Sequence, residues 1–502
     1  MAAIATLAAS LVGVQGGKAA LPATQSIWFA IPANLDSNGH FLSIDSDITA
    51  TFEVTSADGG VFSTGTVSPG SPFVVPLPDA GDVSGSESIG MKGIHITSSA
   101  PVVATLLSDD DNGGTSGATL LYPQSALGQS YIAVGYQQNT VPNAPSQFTI
   151  VGTADQTGVS VTPTCAGSGG GTAGTPIALT LDPGDTWQYE CPSSDVTGST
   201  ITADKKIAVF GGNRCAVIDP GDYCDYLVEQ MVPVNRWGKQ FLLAPLDDGQ
   251  TDYVRIVTSA PSTTLTAQGL TVPVSIPLAG SHYTTTMTGA SRITANKPIF
   301  VAQYMSGHDL GAGDGDPLMI GVQPASSATK DHRFFAFPGV APYDYTTSRV
   351  NVIAPNGATV KLDGSAVGGF TALPGGTHRW ATVDLQPGEH RVRASAPVLV
   401  YVYGMRPLAA YGFVAGDPAS VPTTTTVSFE KTATRVRATG GVKPNQPGYI
   451  VVVKLYRKSD GRWRIVATRR PRLSPQSKYA AAFDRPRPGP CKLTARFPGT
   501  DN

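Results

Sequence analysis

The sequence predicts an all-β protein, a tandem array of about four β-sandwich-like modules followed by a C-terminal immunoglobulin-like sandwich. Three observations favour this fold class: apolar runs of strand length alternate with turns, one phrase recurs about every 100 residues, and the charge changes sign near the C-terminus. The 56 Gly and 40 Pro residues could instead indicate low complexity. They lie between regularly spaced β-branched and aromatic runs, however, where such residues terminate strands.

The recurring phrase is a small or polar stretch, often with Pro or Lys, that leads into a β-branched run. Its four copies begin at Ile96, Ile201, Ile293 and Val392. We interpret each copy as a short turn followed by a buried strand, because Pro and Lys stand where no ladder hydrogen bond is needed. This period favours sandwiches over a four-bladed propeller, whose blades usually have about 40–50 residues.

Each predicted module opens with an aromatic strand, at Ile27, Tyr131, Phe241 and Phe334. Strands with alternating polarity follow, which predicts sheets with one packed and one solvated face. The predicted modules span residues 25–128, 129–238, 239–329 and 330–417. Their joints contain no Ser/Gly-rich linker, so we expect extensive interfaces between neighbours. The segment 224–231 is the one candidate for a helix.

The two ends of the chain differ from the modules. Residues 1–24 contain a short apolar stretch that predicts a secretory leader, although the usual basic segment is missing. Residues 418–426 are predicted to form a Thr-rich linker, and residues 427–502 a basic immunoglobulin-like domain. Residues 421–502 contain 17 Lys and Arg against four acidic residues, whereas the whole chain has a net charge of −2. A charge change of this kind marks a domain boundary.

The five cysteines fit no zinc pattern, since no C-x-x-C is present. Two local disulfides, Cys165–Cys191 and Cys215–Cys224, are the simplest assignment, and buried thiols are the alternative. Disulfides indicate an oxidising compartment, so we expect a secreted or cell-surface protein. The partner of Cys491 could lie beyond this chain, or this thiol could have none.

Three copies of the recurring phrase lead directly into an acidic, Gly-rich loop. Loops after equivalent strands lie at one end of an array, where binding residues concentrate. Carboxylates at this spacing can hold calcium, the one cofactor that the sequence suggests; plain turns, which also use Asp and Gly, are the alternative. The candidate calcium ligands are Asp109, Asp110, Asp111, Asp309, Asp314 and Asp316. The candidate ligand-binding residues are Asp219, Asp222 and Asp225.

The common catalytic motifs are missing from the sequence, and its seven histidines show no metal-ligand spacing. We therefore predict no catalytic residues and no enzyme. The basic C-terminal segment could suggest nucleic acid, but in a secreted protein anionic glycans or the acidic modules are better partners. The five tryptophans are expected in cores rather than as carbohydrate platforms. No apolar run reaches the length of a membrane span, and the oligomeric state is not predicted.

The stretch from Cys215 to Phe241 reads CAVIDPGDYCDYLVEQMVPVNRWGKQF. It resembles the signature of the N-terminal domain of the IgG Fc-binding protein family, in which a cysteine pair leads into a Val-Glu-Gln segment, a Pro and a Trp-Gly. The opening strand at Ile27 and the recurring phrase are also similar, so the resemblance spans residues 25–420. The missing glycosylation sequons and the C-terminal module, which is similar to bacterial immunoglobulin-like domains, suggest a bacterial-type member.

The resemblance implies extracellular placement and a role in binding or adhesion, with a protein or glycan as ligand; it does not imply antibody binding. Two alternatives remain at this level. One is an extracellular structural spacer of a larger surface protein, and the other is a cell-wall or glycan hydrolase whose site is assembled across modules.

Overall fold

The computed structural model describes residues 25–35, 39–109, 114–137, 141, 143–218, 223–246, 251–307, 314–340, 343–416, 424–432, 434–443, 451–459, 462–474, 478–484 and 490–496. In this part of the chain the regular structure consists of β-strands and three short 3-10 helices, Asp79–Gly81, Val234–Arg236 and Ala325–Ser327. The predicted all-β fold class is therefore confirmed. None of the described helices is long and apolar enough to cross a membrane.

The strands fall into four modules and a C-terminal domain. Module 1 contains β1 (Gln25–Phe29), β2 (His40–Asp45), β3 (Ala50–Ser56), β4 (Val61–Val67), β5 (Phe73–Leu77), β6 (Ile89–Gly90), β7 (Ile94–Ser98), β8 (Val103–Asp109) and β9 (Ser116–Leu121). Module 2 contains β10 (Gly128–Ile132), β11 (Ser146–Gly152), β12 (Thr157–Thr162), β13 (Ile177–Leu181), β14 (Thr186–Cys191), β15 (Thr200–Ala216) and β16 (Asp225–Gln230).

Module 3 contains β17 (Gly238–Leu243), β18 (Asp252–Thr258), β19 (Thr263–Gln268), β20 (Ser275–Ile276), β21 (His282–Met287), β22 (Ser291–Met305) and β23 (Leu318–Val322). Module 4 contains β24 (Thr329–Ala336), β25 (Gly339–Val340), β26 (Tyr343–Asp344), β27 (Thr347–Pro355), β28 (Val360–Leu362), β29 (Ser365–Ala366), β30 (Thr371–Ala372), β31 (His378–Asp384), β32 (Gly388–Arg406) and β33 (Ala409–Val414). The C-terminal domain contains β34 (Thr424–Lys431), β35 (Arg435–Lys443), β36 (Val452–Ser459), β37 (Arg462–Arg469), β38 (Lys478–Asp484) and β39 (Cys491–Arg496).

One long strand organises each of modules 2, 3 and 4. The first half of β15 pairs with β10 and β12, and its second half pairs with β11 and β16. The strands β22 and β32 divide their partners in the same way. In module 1 the equivalent strand is interrupted: β7 corresponds to its first half and pairs with β1 and β3, and β8 corresponds to its second half and pairs with β2 and β9. Each module is thus sandwich-like, with an outer sheet around the first half of this strand and an inner sheet around the second half. In module 1 the two sheets are separate, whereas in modules 2, 3 and 4 the shared strand makes them continuous.

The turn that we predict within the recurring phrase is present in module 1 but wrong for modules 2, 3 and 4, where the strand continues through the phrase. The reason is that the phrase lies where the strand passes from the outer to the inner sheet. There Lys206 donates to the carbonyls of Gln124 and Ser125, both at 2.8 Å. The lysine therefore satisfies carbonyls of the turn that precedes β10 instead of initiating a turn itself.

The four modules meet at a common centre. The last strand of each inner sheet lies there, and these central strands β9, β16, β23 and β33 form a closed ring in which each packs against its two neighbours. This radial order is a feature of the propeller alternative, although every unit is a sandwich-like module. A single apolar cluster extends through all four modules and includes Phe52, Phe210, Val301 and Tyr403.

Three further expectations differ from the structure. The helix candidate 224–231 forms the strand β16, because its Tyr226 and Leu227 face buried surroundings on both sides of the sheet. Residues 424–426, expected in a linker, begin the strand β34. Trp463 is 40% exposed on β37, unlike the buried Trp187 and Trp237.

The C-terminal domain consists of two three-stranded sheets, ordered β34-β35-β38 and β37-β36-β39. They enclose a separate small core that includes Val453, Leu455, Tyr479 and Phe483. Along β38 buried and exposed residues alternate strictly, as expected for a strand with one solvated face.

A buried ion pair fixes module 3 to module 2. Arg255 of β18 is 4% exposed, and its guanidinium donates to the Asp195 carboxylate and to the Gly135 carbonyl, each at 2.6 Å. The guanidinium also lies over the rings of Tyr136 and Tyr304, at 4.8 and 5.7 Å from their centroids. These contacts satisfy the cation where its side chain is almost fully buried.

Replacing this cation should weaken the joint between modules 2 and 3. The change Arg255→Met leaves Asp195 nearly buried without its counter-charge, and we expect a loss of about 3 kcal/mol or more in unfolding free energy. The matched change Arg349→Met removes a pair with Asp384 at 3.0 Å, in which the Asp384 side chain is 83% exposed, and should cost at most about 1 kcal/mol. Chemical denaturation of both variants measures the difference; equal losses would contradict a structural role for the buried pair.

Candidate binding site at the centre of the modules

The central strand β16 carries a carboxylate that bonds to two other modules. Asp225 is fully buried, and its Oδ1 accepts hydrogen bonds from the main-chain N–H of Ser116 at 2.5 Å and of Tyr226 at 2.7 Å. Its Oδ2 accepts from the N–H of Ala410 at 2.6 Å. Asp225 of module 2 therefore joins the first residues of β9 and β33.

A second acidic side chain lies four residues further along β16. Glu229 is 1% exposed and accepts hydrogen bonds from the Thr119 hydroxyl at 3.2 Å and from the Gly321 N–H at 2.8 Å. The neighbouring Gln230 accepts from the Tyr122 N–H at 2.7 Å. Side chains of β16 thus also form hydrogen bonds with module 1, at β9 and the residue after it, and with module 3, at β23.

The close approach of these strands explains two glycines. A Cβ atom on Gly117 of β9 would lie 2.8 Å from the carbonyl oxygen of Tyr226. A Cβ atom on Gly321 of β23 would lie 3.1 Å from the Glu229 side chain, which bonds to the Gly321 N–H. Both positions need a residue without a side chain because the central strands approach at their backbones.

Burial without a counter-charge changes the acidity of these groups. It raises the pKa of Glu229 to about 8, although the hydrogen bonds from Gly321 and Thr119 oppose this. Burial and the neighbouring Asp316 carboxylate also raise the pKa of Asp225. At neutral pH Glu229 is therefore largely uncharged, and it can act as a neutral hydrogen-bonding group.

A cavity of about 220 Å³ lies at one end of the central strands. All four modules contribute to its lining: Leu35, Gly114 and Thr115 come from module 1, Tyr223 and the Cys215–Cys224 disulfide from module 2, Asp316 from module 3, and Leu408 from module 4. It is the end from which the acidic loops leave the inner sheets.

Main-chain contacts join the bases of these loops. The Gly307 N–H donates to the Ile218 carbonyl at 3.3 Å, which joins module 3 to module 2. The Gly315 N–H donates to the Arg406 carbonyl at 2.9 Å, which joins module 3 to module 4. The structure thus brings together the described residues that flank the loops which the sequence places after equivalent strands.

The candidate calcium ligands have different surroundings. Asp109 is buried against Arg406, whose guanidinium nitrogens lie 2.6 and 3.2 Å from its two carboxylate oxygens. Asp314 accepts a hydrogen bond from the Thr346 hydroxyl. Asp316 lines the cavity, and burial raises its pKa to about 8. The remaining candidates, Asp110, Asp111 and Asp309, lie outside the described residues.

Within the described part of the chain, no three His, Cys, Asp or Glu side chains are grouped so that they could hold a metal ion. Calcium binding therefore stays a prediction. Of the candidate ligand-binding residues, Asp219 and Asp222 lie outside the described residues. Asp225 is not on a loop surface but in the centre, with its oxygens bonded to the main chain.

Both disulfides expected from the sequence are present, with Cα–Cα distances of 6.0 Å for Cys165–Cys191 and 5.0 Å for Cys215–Cys224. The second one forms part of the cavity wall and closes the segment between β15 and β16. The first one lies within module 2, next to the Tyr189 side chain that donates to the Cys165 carbonyl. Cys491 takes part in neither disulfide.

Sequence reasoning missed the central roles of Glu229, Gln230 and Arg406. A signal exists for the first two, since they interrupt the apolar run Tyr226–Met231, where an acidic or amide side chain must be buried and therefore needs partners. Arg406 carries no such signal, because its partner Asp109 is 297 residues away.

The raised pKa of Glu229 predicts how stability depends on pH. Between about 4.5 and about 8 the folded state holds this proton while the unfolded state releases it, so the contribution is complete at low pH and is lost as the pH rises through this window. We expect Glu229→Gln, a neutral isostere, to flatten the decline by at most about 1.4 kcal/mol per pH unit.

Melting temperatures at pH 5, 6, 7 and 8 test this expectation. The half-exposed Glu53 of β3 offers a matched control, because Glu53→Gln makes the same change outside the centre. Parallel pH profiles for wild type and Glu229→Gln would show that Glu229 is ionised in the folded protein.

Comparison with known proteins identifies the family. The family model described as IgGFc binding protein matches residues 117–404, from the central strand β9 into β32. The human (Homo sapiens) IgGFc-binding protein is 25% identical over 362 residues, which cover 70% of this chain but 6% of the human protein. The family match includes the Cys215–Phe241 stretch that supplies the central strand β16. Because the family model covers more than half of the sequence, this chain belongs to the IgGFc-binding protein family.

Proposed function

We propose that this chain is an extracellular, non-enzymatic binding protein that holds a protein ligand at the cavity end of its four modules. The observation that carries the proposal is the convergence of loop bases from all four modules around one cavity. Loops on a rigid scaffold are the usual place for binding residues, and concave sites with a few polar groups are the usual ligand sites.

Two further observations support a protein ligand outside the cell. The human relative is named for binding the Fc region of IgG, which makes a protein the first ligand class to consider for this chain. The two disulfides of module 2 suit an oxidising compartment. Adhesion to a surface or to mucus follows as the wider role that we propose.

The surroundings of the cavity favour binding over hydrolysis. Glycoside hydrolysis uses two carboxyl groups that flank the substrate. Among the described lining residues Asp316 is the single carboxylate. Asp225, a further acid in the centre, directs both oxygens to main-chain N–H groups. The cavity therefore offers a recognition group rather than a catalytic pair.

The C-terminal domain is proposed as a basic immunoglobulin-like sandwich that follows the binding region. Its two sheets and separate core support an independent unit. The exposed side chains of β37 include Arg462 and Arg464, and such a basic face would suit anionic polymers or glycans in the extracellular space.

The ligand site can be tested with purified human IgG Fc and the full chain, measured by surface plasmon resonance. We expect saturable binding that weakens at least tenfold in Leu35→Asp, because Leu35 is 45% exposed at the cavity. The control Val274→Asp changes a valine that is 81% exposed beside the outer strand β20 of module 3, and it should bind like wild type.

Three outcomes separate the alternatives. Binding that is lost in Val274→Asp but kept in Leu35→Asp would place the ligand elsewhere. Binding to a glycan array but not to Fc would replace the protein by a carbohydrate. No saturable ligand of either kind would contradict the binding role and favour a structural spacer.

A further inference from the structure

The carboxylate of Asp316 has no protein partner among the described residues. Asp316 is 1% exposed, and neither Oδ1 nor Oδ2 accepts a hydrogen bond from any residue that the structure describes. The side chain nevertheless lines the cavity at the end of the central strands. A buried carboxylate without a partner is costly, and burial raises the pKa of Asp316 to about 8, so the cavity by itself favours the protonated group. Its place at a cavity points to a cationic group that displaces this proton when it binds there.

The charged groups that the structure describes near the cavity are already paired with each other or with the main chain. Both carboxylate oxygens of Asp109 lie within hydrogen-bond distance of the Arg406 guanidinium, and Asp225 accepts three main-chain N–H groups. The Arg406 guanidinium is thus directed to Asp109 and not to the cavity carboxylate. Among these described acids, Asp316 remains as the carboxylate with free acceptor positions, and it faces the cavity.

Most of the other described lining residues of the cavity are apolar or aromatic, apart from Thr115. Leu35, Leu408, Tyr223 and the Cys215–Cys224 disulfide surround the space beside Asp316. The volume of about 220 Å³ is below the roughly 300–1,000 Å³ of sites for drug-sized molecules and suits one long side chain. Lys and Arg side chains combine an apolar stem with a charged head, as this lining requires.

A hard metal ion suits the lining less well. Calcium takes about six to eight oxygen ligands, whereas the described residues around the cavity provide one carboxylate with free oxygens. No group of three or more potential ligand side chains exists in the described part of the chain. Apolar walls next to one carboxylate favour an organic cation.

We propose that the cavity receives a lysine or arginine side chain of the protein ligand and pairs its cationic head with Asp316. The proposal rests on the proposed binding function and specifies its chemistry. The stem of the incoming residue packs between Leu35 and Leu408, and the closed disulfide holds Tyr223 at the side. A basic residue of the partner is then the anchor of the complex.

Small probes that carry only the anchor test the site. Nα-acetyl-lysine methylamide and Nα-acetyl-arginine methylamide are titrated into the full chain by calorimetry, with Nα-acetyl-norleucine methylamide as the uncharged analogue. We expect saturable binding of a basic probe and at least tenfold weaker binding of the norleucine probe. In Asp316→Asn the basic probe should bind at least tenfold more weakly.

The neighbouring change Asp314→Asn is the matched control. It makes the same substitution two residues before Asp316, at a carboxylate that already accepts a hydrogen bond from the Thr346 hydroxyl. It should leave probe binding unchanged. If Asp316→Asn does not fold, Leu35→Trp tests the same proposal without a change of charge, because the larger ring fills the cavity mouth and should abolish binding.

Two results would overturn the proposal: equal affinities for the lysine and norleucine probes, or unchanged binding in a folded Asp316→Asn variant. If calcium binds and the basic probes do not, and calcium binding is lost in both Asp314→Asn and Asp316→Asn, the site holds a metal ion instead of an organic cation. The proposed function fails separately. If the basic probes bind but no protein ligand does, the cation site stands and the proposed function is wrong. If Fc binds equally well to wild type and to Asp316→Asn, the proposed function stands and the anchoring role of Asp316 is wrong.

Discussion

The inner edges of four sheets meet at the centre of this protein, and their main-chain N–H groups must find acceptors there. Among the described strands, the central ones do not pair with one another in a β-ladder, so each would otherwise carry an unsatisfied edge. Side chains of β16 supply acceptors: Asp225 bonds to the first residues of β9 and β33, and Glu229 bonds to β9 and β23. These two residues therefore join module 2 to each of the three other modules.

This constraint makes module 2 different from its neighbours. The modules share the long divided strand and the inner sheet, but one of them provides the acidic side chains that the others use. The Cys215–Cys224 disulfide closes the chain directly before Asp225, and it fixes the beginning of β16 where the first contacts form. The stretch that resembles the family signature therefore serves the centre of the fold as well as the cavity wall.

Closure of the ring also requires contacts between the first and last modules. The Asp109–Arg406 pair joins them at the cavity end. On the outside, Arg333 of module 4 lies 2.6 Å from Asp47 of module 1 and 2.9 Å from Glu389 of its own module. The cavity has lining residues from all four modules, so it exists because the ring is closed, and a binding site there is a property of the assembled unit.

The sequence by itself determined the all-β class, the recurring buried strand, both disulfides and the position of the acidic loops at equivalent strand ends. These features depend on local patterns: side-chain alternation, turn residues, cysteine spacing and the period of one phrase. Tertiary structure decided the rest. The recurring phrase lies where the long strand passes from the outer to the inner sheet, because one strand pairs with both. Asp225, predicted to bind ligand on a loop, lies in the centre instead. The roles of Arg406 and Asp316 depend on residues that are distant in the sequence: the partner of Arg406 in one case and the cavity lining around Asp316 in the other. No local pattern encodes which module lies opposite another.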